Sequence, residues 1–211
     1  MSRSHRPLAV VAALGVLVSC GGGGRELSGY SRDPLPSVGA LALPDATSDS
    51  TPFSFRADPG GLLIVYFGYT NCPDYCPTTM NDVKLARARL DDPDTISVAM
   101  VTVDPDRDFV VDTERCDDAI VLACYVRSFI PDAHALGTDD DAALSEVAAP
   151  FGVSYGIETS GDEIIVSHST SLYAVDDQGN LVITWQFGIP IDDLAADMET
   201  LTRTRVGDAY A

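Results

Sequence analysis

Apolar and polar positions divide this chain into short alternating blocks, and the block Leu62–Tyr69 (LLIVYFGY) is the one the others are arranged around. An apolar, β-prone run of that length, closed by the polar pair Thr70–Asn71, predicts a strand buried on both faces. Behind Pro77 the pattern TTMNDVKLARARL, with Met80, Val83 and Leu90 among its apolar positions, predicts a helix. Proline suits a first helical position, where no intrahelical partner waits for an N–H. A second apolar block, Ile96–Val103, then predicts a strand parallel to the first, with the helix as the crossover. Further on, Ala119–Phe129 reads as an amphipathic helix, Ala133–Gly137 as a short strand and Asp139–Ala149 as a helix. Glu163–His168, Ser171–Asp176 and Leu181–Phe187 read as strands, and Asp192–Arg205 as a closing helix. Ahead of the central block, Leu41–Leu43 and Phe53–Phe55 lie between prolines and serines and predict a hairpin or edge strands within Val38–Asp58.

The first residues follow a different pattern. Arg3 and Arg6 precede the apolar run Leu8–Val18, whose eleven residues are too few for a bilayer-spanning helix and typical of an export signal. Residues 1–19 are therefore expected to be a signal peptide. Gly21–Ser37, rich in Gly, Ser, Asp and Pro, is expected to be a flexible tether, giving a tether over 20–37 and one domain over 38–211. With 45% apolar and 21% charged residues in 211, that domain is globular rather than disordered. The formal net charge of −19 over the whole chain argues against nucleic acid or anionic lipid as a partner of the domain surface. An exported chain works where disulfides persist.

Chemistry concentrates at Cys72 and Cys76, four positions apart, each followed by proline, between the central strand and its helix. A helix N-terminus favours thiolate over thiol, and thiolate is the form that attacks disulfides and binds soft metals. The plainer alternative is a structural disulfide or two buried cysteines. Cys116 and Cys124 form a second pair, for which a local disulfide, a second redox couple and a second metal site are all open. The acidic turn Asp104–Asp108 ends the second strand and should share a rim with Cys72, as a contributor to electrostatics or simply as a capped turn. His168, at the end of an apolar strand, could join two thiolates in a trigonal site for Cu(I); taken alone it could equally be a loop histidine. His134 stands alone in its short strand and reads as a packed or exposed histidine. A single α/β domain with a cysteine pair opening a helix after a buried strand has the layout of the thioredoxin-like fold, with a central mixed sheet flanked by helices.

Two resemblances sharpen this reading. Leu17-Val18-Ser19-Cys20 resembles a bacterial lipoprotein box, which implies that Cys20 becomes a lipid-bearing mature N-terminus on the outer side of the cell membrane. YFGYTNCPDYCPTTM, VTVDPDRD and VSHSTSLYAVDDQGNLV, in that order, resemble the signature segments of the Sco/SenC family of membrane-tethered, thioredoxin-like copper proteins. That resemblance implies copper held by Cys72, Cys76 and His168, as Cu(I) or Cu(II). It also implies a role in assembling the copper A centre of a cytochrome c oxidase subunit, by copper delivery, by thiol reduction, or both. After Asp108 the chain departs from the pattern through extra residues that include Cys116 and Cys124. The competing function is an extracytoplasmic thiol–disulfide oxidoreductase. Against it stand the CxxxC spacing and a histidine segment where thioredoxin-like reductases carry an X-Pro.

Overall fold

The computed structural model describes residues 25–114, 116, 119–161 and 163–203. Its core is a seven-stranded mixed sheet in the order β11-β10-β3-β4-β7-β1-β2. At its centre β3 (Leu62–Gly68) is parallel to β4 (Ile96–Thr102), in register from Leu62 beside Ile96 to Gly68 beside Thr102. The crossover is α1 (Tyr75–Arg87) followed by a 3₁₀ turn at Pro93–Thr95. β7 (His134–Leu136) extends the parallel set on one side. On the other side β10 (Leu172–Val175) and β11 (Leu181–Trp185) are antiparallel. The expected N-terminal hairpin is β1 (Ala42–Asp45) and β2 (Thr51–Ser54), and β1 joins the sheet edge beside β7.

Every residue of β3 is buried, as its unbroken apolar run predicts. Its alternate side chains serve two layers. Leu62, Ile64 and Tyr66 pack with Met80 and Val83 of α1, Leu122 and Val126 of α3 (Val121–Phe129), and Leu194 and Met198 of α5 (Ile191–Arg203). Leu63, Val65 and Phe67 pack with Leu144, Val147 and Phe151 of α4 (Asp141–Phe151) on the opposite face. Each such side chain withdrawn from water contributes about 1.5–3 kcal/mol. α4 is held at both ends: the Asp140 carboxylate accepts from the N–H groups of Ala142 and Ala143, and Gly152, at φ 75°, closes it in the left-handed region.

Three features differ from the sequence reading. The hairpin β8 (Tyr155–Ser160) and β9 (Glu163–His168) stands as a separate two-stranded sheet, and its first strand was not expected. Its apolar side chains Ile157, Ile164 and Ile165 are exposed, so it carries little of the periodicity that burial imposes. The helix anticipated from Ala119 begins at Val121, because Ala119–Ile120 (β6) pairs with Val111–Asp112 (β5). The third difference corrects the expected tether over 20–37: from Arg25 onward the chain is fastened to the domain. Tyr30 pairs antiparallel with Thr184 and Ser37 with Asn180, so this strap covers the outer edge of β11. Arg25 pairs with Asp193 and Asp197 of α5, and the buried Asp197 also accepts from the Ser28 N–H and Trp185 Nε1–H. The signal segment and Cys20 lie outside the described residues. Among the described residues no helix is long and apolar enough to cross a membrane.

Candidate metal centre

The carboxyl ends of the parallel strands form a rim, the usual place for sites in open α/β sheets. There β3 runs into the loop that carries Cys72, and α1 begins at Tyr75, so that Cys76 lies in its first turn rather than ahead of it. Asp74 precedes the helix without capping it through its side chain. The Cys72 sulfur does so instead, accepting the Cys76 N–H at 3.3 Å. Burial alone would raise the Cys72 pKa. The backbone N–H groups of Cys76, Asp74 and Tyr75 and the Cys76 thiol outweigh it and bring the pKa below the usual thiol value. Cys76 is fully buried, and burial first, then the neighbouring Cys72 sulfur, pushes it up to about 12. Both thiols are free, and the Tyr66 O–H donates to Cys76 Sγ at 3.5 Å. Gly68 makes room for that sulfur: a Cβ there would lie 3.0 Å from it and 2.7 Å from Tyr66 Cε1.

His168 reaches the rim from the end of β9, opposite Tyr155 of β8. The Ser169 N–H donates to the Ser154 carbonyl at 2.9 Å, and the Ser154 N–H to Ser169 Oγ at 3.0 Å, fixing the strand end. The Nδ1 atom lies 2.8 Å from the Ser169 carbonyl, an acceptor only, so Nδ1 carries the proton. Nε2 keeps its lone pair and faces Cys76 Sγ at 3.7 Å. Burial lowers the His168 pKa against the opposing pull of the Ser169 and Phe67 carbonyls, which favours the neutral, ligating imidazole. The rings of Tyr66 and Tyr69 stand roughly perpendicular to it, with centroids at 6.1 and 5.6 Å.

The donor atoms of Cys72, Cys76 and His168 all lie within 4.8 Å of one another, and among the described residues this is the one group of three or more His, Cys, Asp or Glu that could hold a metal ion. Ligands around one ion at roughly 2.0–2.3 Å are themselves separated by up to about 4 Å. The 3.7 Å pair already fits, and the widest separation needs to close by less than an ångström. Two sulfurs and one imidazole, largely sequestered from water, form a soft donor set suited to Cu(I).

The acidic turn is on this rim, as expected, where α2 (Pro105–Asp108) follows β4. Two of its carboxylates, Asp104 and Asp108, are engaged in holding the loop. Buried Asp108 accepts from the Thr70 N–H and hydroxyl and from the Thr102 hydroxyl, the last at 2.6 Å. Asp104 is paired with Arg107, whose guanidinium lies 5.9 Å from the Tyr69 ring centre. The segment therefore fixes the start of the cysteine loop and the position of Tyr69. Sequence reasoning singled out the turn but not Tyr66 or Tyr69. Their signal was a hydroxyl inside an otherwise apolar strand and another just past its end, Tyr66 falling by period two on the face that carries α1.

Of the possibilities left open for Cys116 and Cys124, the structure has a disulfide between them, with Cα atoms 5.7 Å apart, tying the segment ahead of β6 to α3. His134 is not part of the thiol cluster. Its Nδ1 is 2.7 Å from the buried Asp45 carboxylate, joining β7 to β1.

Comparison with known proteins agrees with this geometry. The family model described as SCO1/SenC matches residues 47–203. The SCO2-like protein RP587 of Rickettsia prowazekii is 29% identical over 182 residues, covering 80% of each chain. Among solved structures, apo Sco1 from Thermus thermophilus superposes with a TM-score of 0.65 at 27% identity, over 83% of this chain and 97% of the other. Copper-bound ScoI from Bradyrhizobium japonicum superposes with a TM-score of 0.60 at 25% identity, over 75% and 95%.

Proposed function

Because the chain belongs to the SCO1/SenC family, we propose that it binds copper through Cys72, Cys76 and His168 and delivers it to the copper A site of a cytochrome c oxidase subunit. The observation that carries this reading is the convergence of the three donors on the rim, two of them from the β3–α1 loop and one from a hairpin outside the main sheet. Support for copper comes from the softness of the donor set and from the copper-bound relative. The backbone N–H groups that lower the Cys72 pKa favour its thiolate form, and the metal displaces the proton of Cys76 on binding. His168, neutral with Nε2 exposed to the sulfurs, completes the set. Copper is then the cargo, and an acceptor offering thiol and imidazole ligands takes it by stepwise ligand exchange. The lipoprotein-box resemblance supports attachment of Cys20 to the outer face of the cell membrane, with copper transfer in the extracytoplasmic space.

The free thiol pair also supports a second reading, reduction of a partner disulfide. The Cys72 thiolate attacks one partner sulfur and releases the other as thiolate. Cys76, losing its proton, then attacks the Cys72 sulfur of the mixed disulfide and releases the remaining partner sulfur as thiolate, leaving Cys72–Cys76 oxidised and the partner reduced by two electrons. His168 has no task in that sequence, which is why delivery is the favoured reading.

The deciding experiment is metal analysis with thiol titration of the protein, purified reduced and then oxidised. One copper per chain in the reduced form and none in the oxidised form is expected. Failure of the reduced protein to retain copper would overturn the delivery reading.

A further inference from the structure

We infer that Tyr66 biases the three-donor site toward the cuprous ion, by donating a hydrogen bond to the sulfur of Cys76. This rests on the copper reading and goes beyond it, assigning the choice of oxidation state to a residue outside the donor set.

The two sulfurs are supported differently. Cys72 faces backbone N–H groups of the helix start, which no side-chain substitution removes. Cys76 faces the phenol of Tyr66, which is 1% exposed and 3.5 Å away, in a place where water does not compete for either partner. Tyr66 sits in the middle of the sheet, its backbone opposite Met100 in β4 and Leu172 in β10 and its ring enclosed in the core. Gly68 lets the Cys76 sulfur come this close. The same ring packs roughly perpendicular to the His168 imidazole, with centroids 6.1 Å apart, so one side chain neighbours two of the three donor residues.

A hydrogen bond to a ligating thiolate draws electron density away from sulfur. Cu(II) depends on that density through a more covalent bond than Cu(I) forms, so the donor weakens the cupric complex more than the cuprous one. Hydrogen bonding around a cysteine sulfur tunes copper potentials in this way.

The test uses the full chain and the substitution Tyr66→Phe. Cu(I) affinity is measured by competition with a chromophoric cuprous chelator, Cu(II) affinity by titration with cupric ions, and the thiolate-to-Cu(II) absorption band is recorded. The expected result is a roughly tenfold fall in the preference for Cu(I) over Cu(II), equivalent to a potential lower by about 59 mV, with the band moved to lower energy. Placing 3-fluorotyrosine at position 66 keeps the shape and strengthens the donor, so the preference and the band should move the opposite way. If Tyr66→Phe does not fold, the fluorinated protein decides alone. Unchanged preference and band in a folded, copper-loaded variant overturn the inference and leave copper binding standing. A wild-type chain that binds neither ion overturns both.

Discussion

Nε2 of His168 faces Sγ of Cys76 across 3.7 Å, although 92 positions of sequence separate the two residues. Only the rim brings them together: one arrives from the first turn of α1, the other from the end of β9. A ligand set assembled from such distant segments responds in graded fashion to loss of its members. Cys72→Ser or Cys76→Ser should abolish stoichiometric copper binding, because one sulfur and one imidazole make a poor site for a soft ion. His168→Ala should leave the sulfurs in place and weaken binding by at least about tenfold. Copper content after dialysis against a competing chelator measures both, and undiminished copper in His168→Ala would remove the histidine from the site.

Gly68 is where the central strand comes closest to the site. A methyl group there would press on Tyr66 Cε1 at 2.7 Å, Cys76 Sγ at 3.0 Å and Met100 Cε at 3.1 Å. Gly68→Ala should destabilise the fold by about 1–3 kcal/mol through overpacking and displace the Cys76 sulfur. Thermal unfolding and copper retention should fall together; an unchanged melting temperature would show that the rim yields more easily than its packing implies.

Asp45 predicts a pH dependence away from the metal centre. Burial alone would raise its pKa, but hydrogen bonds from His134, Thr47 and the Ala135 N–H prevail and hold it at about 2, below the ordinary aspartate value of 3.8. A carboxyl whose folded pKa is depressed stabilises the native state above its unfolded pKa and loses that contribution as pH falls toward the folded value. The contribution at neutral pH is about 2 kcal/mol. Asp45→Asn should therefore be less stable than wild type by about that amount at pH 7, with the difference shrinking between pH 4 and pH 2. Denaturant unfolding of both proteins across that range checks it.

Asp197 anchors the strap. It is fully buried and accepts from Arg25, the Ser28 N–H and Trp185 Nε1–H. Asp197→Ala strands these donors and should cost about 3 kcal/mol. Arg25→Ala should cost about 1–2 kcal/mol, because the half-exposed arginine leaves while the Asp197 carboxylate keeps the Ser28 and Trp185 donors. Trp185, the chain's one tryptophan, reports the change directly, with emission moving to longer wavelength as the strap loosens.

The cysteine pair was legible because its two members and the helix that activates them are neighbours in sequence. β3 and β4 were legible because complete burial leaves an unbroken apolar run. His168 was legible as a ligand only through the resemblance of its segment: nothing local to VSHST says which distant loop the ring will meet. The tyrosines were hidden, since an aromatic residue in a strand reads as core whether or not its hydroxyl has a task. β8 and the strap escaped for a common reason. Both are held largely by backbone pairing and polar anchors, such as Leu181 N–H to the Pro36 carbonyl, which leave no hydrophobic period to read. The glycines and serines of the strap, taken for a flexible spacer, suit a segment that must lie close along an edge strand. Gly29, for one, lies against Ile183 and Trp185, where a side chain would not fit.

The strap also fixes a direction. It runs against β11, with Tyr30 beside Thr184 near the sulfur-bearing end of the sheet and Ser37 beside Asn180 at the other, and Arg25 is clamped to the first turns of α5. Arg25, the first of the described residues, therefore sits in the same hemisphere as the thiols, so the leading end of the strap and the three donors share one end of the domain.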